Sequence, residues 1–330
     1  MRICILSAIV LLGFLAPGAL PAGDAALAVV EKIAGFVGFY TADGKRIGAA
    51  KIGAFPHEIV MSPDRRTLYV TDNGVLWMTD AGEGGNTISI VDTSSLKRTG
   101  VIDLGRYRRP HGIDIHPKSG LIAATTENPD GMVLVDPAKR KVIRFYDTQG
   151  GDSHMVVFDA AGEWAYVSNS ATNTVAAIHL STGKTQLIAT GERPQGGVVS
   201  RDGKIVYFGN STSNTISLID TSAKKVAGVI RTSSGPSRLA LTPDQKTMVY
   251  NLHPGDSVGV ADVSARKEIG VVKVSGRAMS MTVSADGKLA YAGVQDQDKV
   301  FVISVPERRV VRVIDTPKGS GPDPALPLGR

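Results

Sequence analysis

GERPQGGVVSRDGKIVYFGNSTSNTISLIDTSAKKVAGVI, residues Gly191–Ile230, is the stretch that decides the fold. It contains four short runs rich in β-branched and aromatic residues: VVS, IVYFGN, TISLID and VAGVI. The turns between them, RDGK, STSN and TSAKK, are built from residues that favour turn backbones. Short runs of this kind between turns are typical of β-strands. The stretch therefore predicts one unit of four antiparallel strands.

The same unit recurs along nearly the whole chain. The Asn or Asp that precedes its third strand returns every 41–44 residues, at Asn86, Asp130, Asn173, Asn214, Asp256 and Asp298. A lone four-stranded sheet cannot bury its faces, so units of this length stack as the blades of a β-propeller. A helical array would need apolar residues about 3.6 positions apart, which this pattern lacks.

The two ends of the chain carry incomplete units. Residues Leu27–Ile52 provide a second, third and fourth strand without a first, and Gly321–Leu328 resembles a first strand with nothing after it. Joining the ends into one composite blade would pair strand edges that are otherwise exposed. We therefore predict an all-β, seven-bladed propeller of four-stranded antiparallel blades, closed by this composite blade.

Several repeats resemble a known family. The segments SPDRRTLYVTD (Ser62–Asp72), NTISIVDT (Asn86–Thr93), EWAYVSN (Glu163–Asn169) and NTISLIDT (Asn214–Thr221) are similar to the YVTN family of bacterial β-propeller repeats. The resemblance covers nearly all of the chain after its leader. It implies a seven-bladed fold like that of exported YncE-like and lactonase-like propellers, and residues 23–330 are expected to form one domain.

The first 22 residues have the layout of a secretory signal. One Arg precedes an apolar run and then small and proline residues, and the expected cleavage lies near Ala22 or Ala28. The only cysteine, Cys4, lies in this leader, so thiolate metal sites and cysteine nucleophiles are excluded from the mature protein. No later segment approaches the roughly 20 apolar residues of a membrane span. We expect a periplasmic or secreted protein.

The charge pattern narrows the class of partner. The formal net charge is +6, and the basic residues are scattered rather than clustered. A dedicated nucleic-acid surface would concentrate them, so nucleic-acid binding is not expected. The expected partner is a small-molecule ligand or a periplasmic protein, and we expect a monomer.

One repeated position carries most of the candidate chemistry. The residue after the linker proline, or the equivalent residue in a blade without that proline, is here called the mouth position. It opens the innermost strand of its blade and should face the mouth of the central channel. Around the ring the mouth positions are His57, His111, His154, Gln195, Ser237, Met279 and Asp323. The composite blade lies next to the first, so an arc of Asp323, His57, His111 and His154 is predicted.

Two interpretations of this arc stay open. Imidazoles and a carboxylate suit a divalent metal ion, and three protein nitrogens with an open position form a known catalytic arrangement. His57, His111 and His154 are then the catalytic candidates, with Asp323 as a further metal ligand. The alternative is that the histidines only hydrogen-bond neighbouring blades or line a water-filled funnel.

Other residues on the same face are candidate ligand contacts. The corner Asn73–Gly85 is longer than its equivalents, and long propeller corners fold over the channel mouth. A guanidinium group matches a carboxylate or phosphate in two hydrogen bonds, which makes the linker arginines candidates for an anion clamp. The predicted ligand contacts are Arg106, Arg108, Arg109, Trp77, Gln195 and His253.

Two classes of function follow from these predictions. In the first, the channel mouth binds a small anionic ligand, with or without a divalent metal, and the histidines support a lactonase-like or lyase-like reaction. In the second, the propeller is a non-catalytic periplasmic scaffold that presents the Asn73–Gly85 corner to a partner. The resemblance also extends to exported propellers found beside quinone-dependent oxidation systems. Fold alone does not choose among these functions.

Overall fold

The repeated strand pattern folds into antiparallel sheets built from units of four strands. The computed structural model describes residues 22–329, so the proposed leader lies almost entirely outside the described residues. The first strands are β1 (Leu27–Glu31), β2 (Phe36–Tyr40), β3 (Arg46–Lys51), β4 (Pro56–Met61), β5 (Thr67–Asp72), β6 (Thr87–Asp92), β7 (Lys97–Asp103), β8 (Arg108–Ile115), β9 (Ile122–Asn128), β10 (Asp130–Asp136), β11 (Lys141–Tyr146), β12 (Ser153–Phe158), β13 (Trp164–Asn169) and β14 (Thr174–His179).

The second half of the chain continues the pattern. Its strands are β15 (Thr185–Ala189), β16 (Pro194–Val199), β17 (Ile205–Asn210), β18 (Thr215–Asp220), β19 (Lys225–Arg231), β20 (Gly235–Leu241), β21 (Thr247–His253), β22 (Ser257–Asp262), β23 (Lys267–Lys273), β24 (Thr282–Val283), β25 (Leu289–Val294), β26 (Lys299–Ser304), β27 (Arg309–Asp315) and β28 (Pro322–Pro327). The described part of the chain also contains two single-turn 3₁₀ helices, Ala22–Asp24 and Gln295–Gln297. No helix within residues 22–329 is long and apolar enough to cross a membrane.

The strand order defines blades. Strands β4–β7 form blade one, β8–β11 blade two, β12–β15 blade three, β16–β19 blade four, β20–β23 blade five and β24–β27 blade six. Blades four and five are joined into one eight-stranded sheet only by a parallel pair, Arg231 with Lys267. The all-β architecture of four-stranded antiparallel units is confirmed.

The two chain ends meet in one sheet. Strand β28 pairs antiparallel with β1, which continues into β2 and β3, so the predicted composite blade is present. The first strand of each blade contacts that of the next, and β28 contacts both β24 and β4. This closed contact ring supports the predicted count of seven blades. Leu27 and Ala28 are buried in β1, so cleavage of the predicted leader at Ala22 would leave that strand whole, whereas cleavage at Ala28 would remove part of it.

The hydrophobic core is divided among the interfaces between blades. Phe39 of the composite blade packs in one cluster with Leu68 of blade one, and Tyr166 of blade three packs in another with Phe208 of blade four. Each cluster draws its residues from two neighbouring blades, because a four-stranded sheet buries its faces only against the next sheet. Stability is therefore spread around the ring.

The first strand of a blade begins earlier than its sequence pattern predicts. The run VVS suggests a strand at Val198–Ser200, whereas β16 spans Pro194–Val199. Its pairing with β17 shifts register between Pro194 and Gly197, which is a β-bulge. Proline and glycine carry little strand propensity, so a pattern of β-branched residues misses the bulged half of this strand.

Candidate functional site

The mouth positions lie where the repeats predict them, and a bulge explains how they are held. In β4 the register shifts between Pro56 and Ile59, so the Glu58 N–H has no ladder partner. The Thr71 hydroxyl of β5 accepts this N–H at 3.0 Å and donates to the His111 carbonyl of the next blade at 2.8 Å. One hydroxyl thus bonds the N–H left free by the bulge and holds the backbone of the mouth residue in the next blade.

The same bridge repeats around this side of the ring. Thr125 accepts the Gly112 N–H and donates to the His154 carbonyl, and Ser168 accepts the Met155 N–H and donates to Gln195 O at 2.6 Å. These hydroxyls occupy the Thr or Ser position of the YVTN-like motifs. The motif therefore anchors the mouth residue of the following blade.

The three histidines form a ladder. The ring centroids of His57 and His111 are 4.2 Å apart with planes at 43°, and those of His111 and His154 are 4.2 Å apart at 40°. All three side chains are buried. His57 Nε2, His111 Nδ1 and His154 Nδ1 have no hydrogen-bond partner among residues 22–329. Buried polar atoms are normally bonded, so these three nitrogens are exceptions among the described residues.

A lysine that the repeat pattern does not single out, Lys32, completes the arc. Lys32 follows β1 in the corner of the composite blade, and its Nζ lies 3.3 Å from His57 Nδ1 and 3.4 Å from Asp323 Oδ2. Its side chain is only 2% exposed. Because β1 is the second strand of the composite blade, the corner that follows it lies on the mouth face. The position of Lys32 in this corner is a sequence signal that could have identified it.

The position of Lys32 bears on the predicted metal. The Lys32 ammonium group lies between His57 and Asp323 and donates to both. A divalent cation shared by these two residues would have to occupy the same position. Within residues 22–329 no group of three or more His, Cys, Asp or Glu side chains is arranged to hold a metal ion. The donor set therefore does not fit a divalent metal.

Burial sets the protonation of the arc. It holds the pKa values of His57, His111 and His154 well below the usual histidine range, and the positive charges of Lys32 and Arg238 add to the effect. These imidazoles are therefore neutral at neutral pH. Burial also lowers the pKa of Lys32, although the Asp323 carboxylate opposes that shift.

A buried ion pair spans the channel beside the arc. Arg238 of β20 donates from Nε to Glu58 Oε1 at 2.9 Å, and its Nη2 lies 2.8 Å from the same oxygen. Strands β4 and β20 are not neighbours in the ring, so the pair bridges the channel. Burial raises the pKa of Glu58, and the Arg238 charge opposes this.

These residues enclose a cavity of about 230 Å³ at the channel mouth. Its volume lies just below the usual range of small-molecule sites, which indicates a small ligand. The lining residues are Lys32, His57, Leu76, Trp77, Met78, Thr79, His111, His154, Arg193, Gln195, Ser211, Ser237, Arg238, His253, Met279 and Asp323. The predicted mouth residues, Trp77 and His253 thus share one cavity.

The predicted linker arginines do not line this cavity. Arg109 uses its guanidinium to bind the Asn73–Gly85 corner, donating to the carbonyls of Met78, Asp80 and Gly82. Arg108 forms an ion pair with the exposed Glu83, and Arg106 lies over the Tyr107 ring. The cationic residues that do line the cavity are Lys32, Arg193 and Arg238.

The long corner covers one side of the mouth. Trp77 lies with its ring 5.4 Å from Lys32 Nζ and 5.5 Å from Arg277 Cζ, distances at which a cation is attracted to an indole face. Leu76, Met78 and Thr79 of the same corner also line the cavity. The corner therefore forms a wall of the site.

A larger cleft lies on the opposite face, between blades five and six. It has a volume of about 320 Å³ and is lined by turn residues that include Thr242, Asp244 and Asp286. Thr242 already bonds Asp244, and Asp286 already accepts the Lys288 N–H. Its polar groups are used within the turns, so the mouth cavity is the better candidate site.

Fold and site together define a β-propeller with a polar cavity at one mouth of its channel. Residues 151–307 match a family model described as YNCE-like beta-propeller, which confirms the expected resemblance over that part of the chain. No curated protein matches the sequence.

Solved structures show the same fold at low identity. A functionally unknown protein from Desulfotomaculum acetoxidans DSM 771 aligns with a TM-score of 0.78 at 15% identity, over 92% of this chain and 98% of that one. Kuenenia stuttgartiensis hydrazine synthase aligns at 0.66 and 19% identity, over 79% and 86% of the two chains. The dihydro-heme d1 dehydrogenase NirN, in complex with DHE, aligns at 0.65 and 14% identity over 89% of this chain and 64% of that one. At these identities the likeness concerns the fold alone.

Proposed function

We propose that this propeller binds a small anionic ligand in the mouth cavity. The observation that carries the proposal is the convergence of Lys32, Arg193 and Arg238 on one small cavity. Arg238 is paired with Glu58, and Lys32 contacts Asp323, but the Arg193 guanidinium makes no ion pair or hydrogen bond with any residue between 22 and 329. A guanidinium without a partner, beside other cations, is suited to a carboxylate or phosphate.

The buried polar atoms of the arc support the same proposal. The unpartnered nitrogens of the three histidines and the unpartnered Asp323 Oδ1 lie among residues that line the cavity. Neutral imidazoles at these places accept hydrogen bonds near neutral pH and can relay a proton from a more acidic group. Such groups would serve a lyase-like elimination or the opening of a lactone, with the cationic residues holding the anionic part of the ligand.

The test compares two arginines on the same face. Binding of acetate, glycolate and inorganic phosphate is measured by calorimetry on the wild type, on Arg193→Ala and on the control Arg106→Ala. A hydrogen bond to a charged group contributes about 1.5–3 kcal/mol, so Arg193→Ala should weaken binding about 10-fold to 100-fold. Arg106→Ala should bind as the wild type does, because Arg106 lies outside the cavity.

Two outcomes would overturn the proposal. One is that none of the three anions binds the wild type, and the other is that the two substitutions weaken binding equally. A scaffold that presents the Asn73–Gly85 corner to a protein would give the first outcome. The contacts from Arg109 to that corner favour a wall of the cavity over a free docking segment.

A further inference from the structure

The buried amine of Lys32 has an unusual setting within the mouth cavity. Its Nζ lies beside His57 Nδ1 and Asp323 Oδ2, and 5.4 Å from the centre of the Trp77 ring. Lys32 is buried and lines the cavity. A buried lysine normally needs a close carboxylate, yet the contact here is a single one of 3.4 Å. Binding of an anion does not by itself require a buried amine with only one long contact to a carboxylate.

The directions around the nitrogen suggest a chemical role. A lysine nitrogen has three positions besides its own carbon, and here two are directed at acceptors, His57 Nδ1 and Asp323 Oδ2. The third has no protein partner within residues 22–329. It carries a proton in the ammonium form and the lone pair in the neutral amine. A lysine amine in a desolvated pocket beside a proton acceptor is the arrangement of an activated nucleophile.

We propose that Lys32 forms an imine with the carbonyl group of a small oxo-acid bound in the mouth cavity. This inference rests on the proposed function, since Arg193 would hold the carboxylate of the same ligand. An oxo-acid joins the two features of the site, an anionic group for the guanidinium and a carbonyl carbon for the amine. A simple carboxylate would use only the first.

The step balances without a further reagent. Lys32 reacts in its neutral form, and the amine attacks the carbonyl carbon to form the N–C bond of a carbinolamine. The nitrogen then carries two protons and a positive charge, and one of these protons passes through His57 Nδ1 to the former carbonyl oxygen. The second nitrogen proton moves to the same oxygen, the C–O bond breaks, and the oxygen leaves as water. One amine and one carbonyl thus give one imine and one water.

The test is reductive trapping with glyoxylate. The full-length mature protein is incubated with glyoxylate and sodium cyanoborohydride, which delivers hydride to an imine and leaves a carboxymethyl group on the amine. Mass spectrometry of the digest then compares the lysines. We expect Lys32 to carry the carboxymethyl group before the exposed lysines do, and Lys32→Arg to lose this early modification while keeping the charge.

Two histidine variants test the proton step. His57→Gln should slow trapping at Lys32 about 100-fold or more, as the loss of general acid–base assistance does. His179→Gln is the control, because His179 lies outside the mouth cavity and its Nδ1 contacts only the turn residues Ser181 and Thr182, and it should trap at nearly the wild-type rate. Equal rates in the two variants would overturn the role of His57.

Glycolate separates this inference from the proposed function, because it has the carboxylate without the carbonyl. If glycolate binds and Lys32 is modified no faster than exposed lysines, the imine is overturned while anion binding stands. If Lys32 is trapped early but glycolate does not bind, the imine stands and anion recognition fails. The site of early modification is measured on the wild-type protein. This measurement tests the inference even if the Lys32→Arg variant does not fold.

Discussion

At the scale of single residues, the Thr or Ser of the second strand has two partners. Thr71, Thr125 and Ser168 each accept an N–H released by a bulge and donate to a carbonyl of the next blade. A hydroxyl is suited to this because it both donates and accepts. The mouth histidines are therefore positioned through their backbones, and their rings stay available to the cavity.

Removing one hydroxyl should show its structural cost. Thr71→Val keeps the shape of the side chain but leaves the Glu58 N–H and the His111 carbonyl without this partner. We expect a loss of about 1–3 kcal/mol in the free energy of unfolding, measured by denaturant titration. Thr67→Val on the same strand is the control, because the Thr67 hydroxyl has no hydrogen bond within the described residues, and it should change stability by less than about 0.5 kcal/mol. Equal losses would contradict the bridging role.

At the scale of elements, the corner Asn73–Gly85 is shaped by an arginine from the next linker. Arg109 donates to three carbonyls of the corner, and its own N–H bonds Gly85 O at 2.7 Å. Its side chain also pairs with Glu127 of blade two. A long irregular segment has many backbone groups to satisfy, and a guanidinium with five donors can satisfy several at once.

Loss of this arginine should free the corner. We expect Arg109→Ala to increase cleavage by chymotrypsin near Leu76–Met78, and to weaken anion binding indirectly because the corner forms a wall of the cavity. Arg108→Ala serves as the control, since Arg108 pairs with an exposed Glu83 and surface ion pairs contribute little. Limited proteolysis at native temperature measures the difference. Equal cleavage in the two variants would show that Arg109 does not hold the corner.

At the scale of the whole molecule, the ring is closed by the pairing of β28 with β1. Four residues of β1 pair with the segment Pro322–Pro327, and the Leu328 N–H also donates to Ala26 O at 2.9 Å. Ala325 and Leu328 are buried in the clusters at the two faces of this blade. The closing strand also carries Asp323, so fold closure and the site depend on the same segment.

Deletion of the closing strand should open the ring. Removal of residues 321–330 exposes the edge of β1 and the flanks of two blades, and we expect a markedly lower melting temperature or aggregation. Removal of residues 329–330 alone is the control, because it leaves β28 whole. The two truncations are compared by thermal unfolding and size-exclusion chromatography. A 321–330 deletion that melts like the control would contradict closure by this strand.

The sequence by itself determined the strand order, the composite blade and the set of mouth positions. Turn residues and alternating apolar residues act locally, so each unit can be read within about 40 residues. His57, His111 and His154 could be placed together because repetition of one backbone position around a ring brings equivalent residues to the same face. The bulged start of the first strand escaped this reading, since Pro194 and Gly197 give no strand signal.

Only the tertiary structure decided which long side chains serve the cavity. Lys32 contacts partners 25 and 291 positions away, and Arg238 reaches Glu58 across the channel over 180 positions. Arg109, which the sequence suggests as an anion clamp, turns instead toward the carbonyls of a neighbouring corner. The backbone position of such a residue follows from the repeat, but several rotatable bonds separate its charge from the backbone. Its direction is set by whichever acceptors the packed blades bring within reach.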